Sequence, residues 1–257
     1  MKNTLGVLAL VLFLLPACSD QDPAAPGMDL VHGPALAKVD AKVELGSGGP
    51  YPVGFTSFVV ADESRDGRLV PVYVWYPADP DGIDGATEEA MYPLDPFHAG
   101  APEAPSSAFE AQGLDPAYQE PEPAAGPFAI VLHSPGWGGN AYTDAHYIGT
   151  GLASQGFVVA SMTHWGDQST FGFSGEPLFH LALSSFDRPR DMSFALDALL
   201  AKNSDVEDVL FGAMNPGQVI ASGWSLGGYA AMVLVLSLIH ISEPTRQVLV
   251  SRMPSSA

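Results

Sequence analysis

Between two apolar runs, Val219-Ile220-Ala221 and Tyr229-Ala230-Ala231-Met232-Val233-Leu234, the chain places Gly223-Trp224-Ser225-Leu226-Gly227-Gly228. A β-branched run that enters a Gly-x-Ser-x-Gly turn and leaves as a longer apolar run reads as strand, sharp turn, helix. The turn brings the end of the strand against the start of the helix, so the positions two before and two after the serine must be small. Gly223 and Gly227 meet that need, and Gly228 relieves the crowding further. The helix that follows points its N-terminus at Ser225, where negative charge is favoured.

The rest of the pattern agrees with this element. Phe128–His133 is a strand of the buried type, Ala141–Gln155 a helix stopped by Gly156, and Phe157–Met162 the next strand. Asp187–Lys202 is an amphipathic helix with Met192, Ala195, Leu196, Leu199 and Leu200 on one face. Strands alternating with helices predict a mostly parallel sheet covered by helices. Upstream, Val53–Ala61 and Leu69–Tyr76 flank a turn containing Asp66-Gly67, which predicts an antiparallel hairpin opening the sheet. Residues 78–127 are dense in Pro, Gly, Asp, Glu and Ala. A stretch of that length with little periodicity is unusual inside a compact domain and reads as a surface insertion, or alternatively as a flap over a site. Tyr92, Phe97, Phe109 and Tyr118 within it are candidates for packing.

The chain has 257 residues, 47% of them hydrophobic, and a formal charge of −19. That balance excludes the basic surface that nucleic-acid binding requires. The acidity is concentrated in linker-like segments and favours solubility. At the N-terminus Lys2 precedes an apolar stretch, Leu5–Leu15, too short to span a bilayer as a helix. Residues 1–17 read as an export signal. Leu15-Pro16-Ala17-Cys18 resembles the lipobox of bacterial lipoproteins, which implies lipidation at Cys18 and a membrane anchor in the cell envelope; the alternative is an ordinary signal peptide and a secreted protein. Cys18 is the only cysteine, so no disulfide within the chain and no paired-cysteine metal site is possible. Residues 18–50, rich in Asp, Pro, Gly and Ala, read as a tether.

A serine hydroxyl becomes a useful nucleophile only when a base takes its proton and when it projects clear of its neighbours. The elbow supplies the projection. His133-Ser134-Pro135-Gly136-Trp137-Gly138-Gly139-Asn140 follows the strand expected beside it, and its glycines let backbone N–H groups turn toward a reaction centre. Leu226 and Trp137 are the candidate oxyanion donors through their backbone N–H groups. Trp224, His164, Trp165 and His133 are candidates for the substrate pocket, because ligand sites in such sheets lie at the carboxyl ends of strands. A hydrogen-bonded strand-end histidine is the competing reading for His133 and His164. His146 and His180 read as surface or packing residues. Asp187, Arg188, Arg190 and Asp191 read as an ion-pair cluster at a helix start.

Taken in order, the hairpin, the Pro135-Gly136-Trp137 loop, Thr163-His164-Trp165-Gly166-Asp167, Arg188-Pro189-Arg190-Asp191 and Gly223-Trp224-Ser225-Leu226-Gly227-Gly228 resemble the α/β-hydrolase superfamily. The nearest resemblance is to bacterial esterases similar to dienelactone hydrolases, platelet-activating-factor acetylhydrolases and cutinase-type polyester hydrolases. Val72-Tyr73-Val74-Trp75-Tyr76-Pro77 also looks like the family's early strand. The resemblance covers about residues 51–235. It implies a three-layer α/β-hydrolase fold, carboxylic ester hydrolysis through a Ser225 acyl-enzyme, no cofactor and no metal. The ester substrate could be a small molecule, a lipid or a polyester. Serine departs from the cysteine of dienelactone hydrolases proper. Two other readings stay open: a serine peptidase on the same fold, and a non-catalytic envelope binding lipoprotein with an elbow-like turn.

In this fold the acid and the histidine of the triad follow the serine, in that order. After Ser225 the sequence carries one histidine, His240, and one acid, Glu243, in the reverse order and too close to the elbow. Leu236-Ser237-Leu238-Ile239-His240-Ile241-Ser242-Glu243-Pro244-Thr245-Arg246 resembles the translation of a transposon-type sequencing adapter. Ser251–Ala257 resembles the distal part of the same adapter. Residues 236–257 are therefore expected not to be native, and the hydrolase domain of residues 51–235 is expected to be partial, ending after the helix of the elbow, with the triad acid and histidine encoded further on. The elbow strand is then expected to be an exposed sheet edge.

Overall fold

The computed structural model describes residues 48–93, 103–109, 116–143, 145–166 and 177–241, with side chains of the last segment described for 181–236. The expected export signal, Cys18 and most of the expected tether lie outside the described residues, as do Phe97, Asp167 and residues 242–257.

Strand β1 (Val53–Asp62) and strand β2 (Arg68–Pro77) form the expected hairpin, in register from Val53 opposite Pro77 to Asp62 opposite Arg68. Its turn depends on left-handed backbone at Asp66 (φ 56°) and Gly67 (φ 69°), the conformation that the Asp-Gly pair tolerates best. The Asp62 carboxylate tightens the turn by accepting from the Ser64 N–H at 3.0 Å and Arg65 Nε at 2.6 Å.

Residues 78–127 contribute three two-residue strands, β3 (Met91–Tyr92), β4 (Ala104–Pro105) and β5 (Tyr118–Gln119). β3 pairs with β4, and β5 adds a short parallel edge to β1. One face of this segment is core, through the aromatic residues expected to pack. Tyr92 is fully buried against Phe55, Trp75, Tyr142 and Phe109. Its hydroxyl accepts from Trp75 Nε1 at 2.8 Å and lies 2.6 Å from His146 Nδ1. Aromatic rings carry this contact, which a composition dominated by Pro, Gly and Asp conceals.

Beyond this segment run β6 (Phe128–Ser134), α1 (His146–Ser154), β7 (Phe157–Met162), α2 (Pro177–Asn203), β8 (Met214–Gly223) and α3 (Leu226–Ile241). The main sheet has the order β5-β1-β2-β7-β6-β8, with β7, β6 and β8 mutually parallel and β2 antiparallel to β7. Val70, Val72, Val74, Ile130, Leu132 and Val158 meet Met192, Leu196, Leu199, Ala230 and Leu234 of α2 and α3 in one core. Phe55, Tyr73 and Trp75 meet Tyr142 and Ala153 beside α1 in another. The result is the three-layer α/β-hydrolase architecture.

Two helix boundaries differ from the sequence reading. α1 starts five residues later than expected, because Asn140 Oδ1 captures the N–H groups of Tyr142 (3.1 Å) and Thr143 (2.7 Å) and makes a turn there. α2 starts ten residues earlier, at Pro177 rather than Asp187, and carries Pro189 inside it. Arg188 and Asp191 are therefore mid-helix residues, and the helix-start reading of that cluster is corrected. Both are fully buried. α3 runs to Ile241, past the Val235 boundary drawn from the sequence.

β8 is the outermost described strand on its side of the sheet, and Ile220 on it is exposed. An apolar strand with one unpaired backbone edge is a template for association, and a lysine on such an edge opposes it. Ile220→Lys is expected to raise the monomeric fraction of this chain in size-exclusion chromatography. An unchanged elution profile at equal concentration would count against β8 as the associating edge.

Candidate active site

The elbow has the geometry that its sequence implied. β8 ends at Gly223 and α3 begins at Leu226, so Trp224 and Ser225 alone make the turn. Ser225 sits at φ 50°, a left-handed conformation unusual for a non-glycine residue, and it is exposed. A Cβ on Gly223 would fall 2.3 Å from the Gly227 carbonyl carbon, and one on Gly227 would fall 1.9 Å from the Ser134 carbonyl oxygen. Both obstacles are backbone and cannot move aside. The Trp224 N–H donates to Ser134 O at 3.1 Å, which ties the elbow to the end of β6. Leu226 is the first residue of α3, where backbone N–H groups have no acceptor one helical turn earlier.

The loop after β6 lies against this turn. A Cβ on Gly136 would meet Trp224 Cδ1 at 2.8 Å. Beyond it, Gly139 N–H donates back to Gly136 O at 3.1 Å, with Gly138 at φ 79° in the position that favours glycine. Beneath the loop, the Arg188 guanidinium donates to Gly136 O through Nη2 at 2.9 Å. Its Nη1 donates to Pro135 O and, at 3.0 Å, to Ser134 Oγ, and its Nε donates to Ser184 Oγ at 3.1 Å.

His164 stands between the loop and Asp191, with Nε2 2.9 Å from Ser134 Oγ and Nδ1 2.9 Å from Asp191 Oδ2. Burial lowers its pKa to about 4, with the Arg188 charge adding to that and Asp191 opposing it. The ring is therefore neutral near pH 7. Its Nδ1–H donates to Asp191, and its Nε2 accepts from the Ser134 hydroxyl. Burial alone would raise the Asp191 carboxyl. Hydrogen bonds from Arg68 and His164, with the charges behind them, outweigh burial and hold it below the ordinary carboxylate range. Arg68 binds Asp191 with two nitrogens at 2.8 Å each, and Arg65 Nη1 adds a third contact at 2.7 Å.

Ser134, His164 and Asp191 thus have triad-like spacing, yet all three are buried and Ser134 Oγ already receives Arg188. A substrate carbonyl has no path to that hydroxyl. The sequence reading offered His164 and Asp191 in separate roles and missed that they touch.

The remaining candidates are dispersed. His133 is buried with Nδ1 2.7 Å from Ser222 Oγ, and burial lowers its pKa to about 4. His133 and His164 are thus bonded interior residues, not open pocket walls. Trp165 and Trp224 are exposed, and the Arg68 guanidinium lies 5.9 Å from the Trp165 ring centroid. His146 is a packing residue of the aromatic core, also lowered to about 4 by burial. An open groove runs beside the elbow between β8 and α3, lined by Ser222, Gly223, Gly228, Met232 and Val235 among others. Among the described residues, no group of three His, Cys, Asp or Glu side chains is placed to hold a metal ion.

No family model matches this chain, and no curated protein matches it. Solved structures do. A ferulic acid esterase from Streptomyces cinnamoneus aligns with a TM-score of 0.55 at 20% identity, over 75% of this chain and 58% of its own. This chain therefore spans little more than half the length of that neighbour. The likeness is one of fold.

Two outcomes follow from the geometry. Gly227→Ala forces a methyl into the Ser134 carbonyl and is expected to lower unfolding stability by roughly 2 kcal/mol or more, read from urea denaturation; an unshifted midpoint would contradict the close approach. The second concerns acid. Imidazoles of His133, His146 and His164 titrate near 4 in the folded chain and near 6.5 when unfolded. Between those values the unfolded chain binds more protons, so stability falls as pH is lowered through that window. Asp197, raised to about 6 by burial, acts in the opposite direction above the ordinary carboxylate range, as one group against three. The melting temperature is expected to drop steadily from pH 6.5 to pH 4, and a flat profile would show that these histidines are not buried neutral.

Proposed function

We propose that this protein is a carboxylic ester hydrolase in which Ser225 is the nucleophile. The observation that carries the reading is the φ of 50° at an exposed serine between a strand and a helix. Such a conformation costs on the order of 1–3 kcal/mol and persists where the surrounding structure enforces it. Here Gly223, Gly227 and the Ser134 carbonyl enforce it. The fold shared with a ferulic acid esterase supports the same class.

In this reading Ser225 Oγ adds to the ester carbonyl carbon while a base takes its proton. The carbonyl electron pair moves onto oxygen, and the N–H groups of Leu226 and Trp137 stabilise that charge. The intermediate collapses, the C–O bond to the alcohol breaks, and the base returns its proton to the alcohol. Water then attacks the acyl-enzyme by the same route and releases the acid and Ser225. Trp224 and Trp165 flank the substrate, while His133 and His164 shape the ground beneath it. His240 and Glu243 follow Ser225 in the order opposite to that of a triad and do not serve as its base and acid. Export and lipidation at Cys18 would hold the enzyme on a membrane of the cell envelope.

The protein expressed from its complete genomic reading frame is expected to hydrolyse p-nitrophenyl esters and to be labelled by a fluorophosphonate at Ser225. Ser225→Ala should lower kcat by at least about 10⁴-fold. Hydrolysis that survives this substitution, or labelling at another serine, would remove Ser225 from the role.

A further inference from the structure

The buried Arg188 guanidinium is not needed to hold α2 to the sheet, since Met192, Leu196 and Leu199 of the same helix already pack in the core. Its donors go to the loop after β6. Nη1 and Nη2 take the carbonyl oxygens of two consecutive residues, Pro135 and Gly136, and Nη1 also takes Ser134 Oγ. The two peptide units concerned are trans, because the described residues contain a single cis bond, at Gly126-Pro127. In a trans planar peptide the C=O and the N–H point in opposite directions. One planar fork that draws both carbonyls to its side therefore turns the N–H groups of Gly136 and Trp137 to the other side. Successive N–H groups facing one way form a concavity suited to an anion.

We propose that Arg188 is a positioning residue for the oxyanion site, acting through the Pro135 and Gly136 carbonyls to aim the Trp137 N–H; the proposal rests on the ester-hydrolase reading of Ser225. The loop it aims is in contact with the elbow. Ser134 O accepts from the Trp224 N–H, and Gly136 stands against the Trp224 ring. The chain Asp191–His164–Ser134 completes the device. With His164 neutral, the Ser134 hydroxyl proton goes to Nε2, which leaves Ser134 Oγ as an acceptor for Arg188. Ser184 Oγ holds Nε and fixes the plane of the fork from within α2. A lysine here would keep the charge and lose the fork, since its single ammonium cannot place two donors in one fixed plane.

The test compares wild type, Ser225→Ala, Arg188→Lys and Ser184→Ala in the protein expressed from its complete reading frame, with a p-nitrophenyl ester and a fluorophosphonate. Arg188→Lys is expected to lower kcat at least about tenfold, toward the loss seen when one oxyanion donor is removed. KM should stay within about twofold, and the fluorophosphonate inactivation rate should fall in parallel. A merely structural role would lower the melting temperature and leave kcat of the folded fraction unchanged, and that outcome overturns the proposal. If Arg188→Lys does not fold by circular dichroism, Ser184→Ala decides: a roughly threefold or larger fall in kcat at constant KM supports the proposal, and an unchanged kcat overturns it. Ser225→Ala separates the two readings. If it retains activity, the nucleophile assignment fails and the proposal with it. If it is inactive while Arg188→Lys and Ser184→Ala keep wild-type kcat, only the proposal fails.

Discussion

A charged guanidinium in the interior organises this molecule. Arg188 is fully buried, as is Asp191 one turn further along the same helix. Removing such charges from water is costly, and the cost is offset only when hydrogen bonds satisfy the buried groups. Here they do so in opposite directions. Arg188 reaches up to carbonyls of the loop after β6, while Asp191 gathers His164, Arg68 and Arg65. α2 thereby joins the first hairpin, the strand ends of β6 and β7, and the loop beside the elbow. An apolar helix face could pack as tightly, but it could not dictate which way a peptide plane turns. That directional property is what distinguishes hydrogen bonds to a fixed fork from area burial.

The elbow depends on a second constraint, the closeness of backbone to backbone. The strand end, the helix start and the end of β6 approach so nearly that no side chain fits at Gly223 or Gly227. This is steric, local and readable in one dimension, which is why the motif could be placed from residue spacing alone. The strand assignments at β6 and β7 were legible for a similar reason. Strands buried on both faces must be nearly continuous apolar runs, and Phe128–Ser134 and Phe157–Met162 are such runs.

Long-range pairings were less legible. Nothing in the spacing of Arg65, Arg68, His164, Arg188 and Asp191 tells that they converge, since they come from a hairpin, a loop and a helix, the hairpin lying 126 residues from Asp191 at Arg65 and the loop 27 residues from it at His164. A charged quartet beginning at Asp187 looks like a helix start because acids favour that end. In the folded chain the helix has already run ten residues by then, and Arg188 and Asp191 face inward while Arg190 stays exposed. Residues 78–127 were legible only in part. Their composition is that of a solvated linker, yet Ala90, Tyr92 and Ala117, with Phe109 against them, seat the segment on the aromatic core.

From sequence alone came the α/β architecture, the hairpin, the elbow at Ser225 and the loop at Trp137. All of these rest on local periodicity, turn chemistry or the steric demand for glycine, which operate over a few neighbouring residues. Only the tertiary structure decided that His164 is interior and neutral, that Ser134 and Asp191 are its partners, and that Arg188 holds the carbonyls on one side of the loop. Those facts depend on burial and on the direction of hydrogen bonds between distant segments, and a linear pattern carries neither.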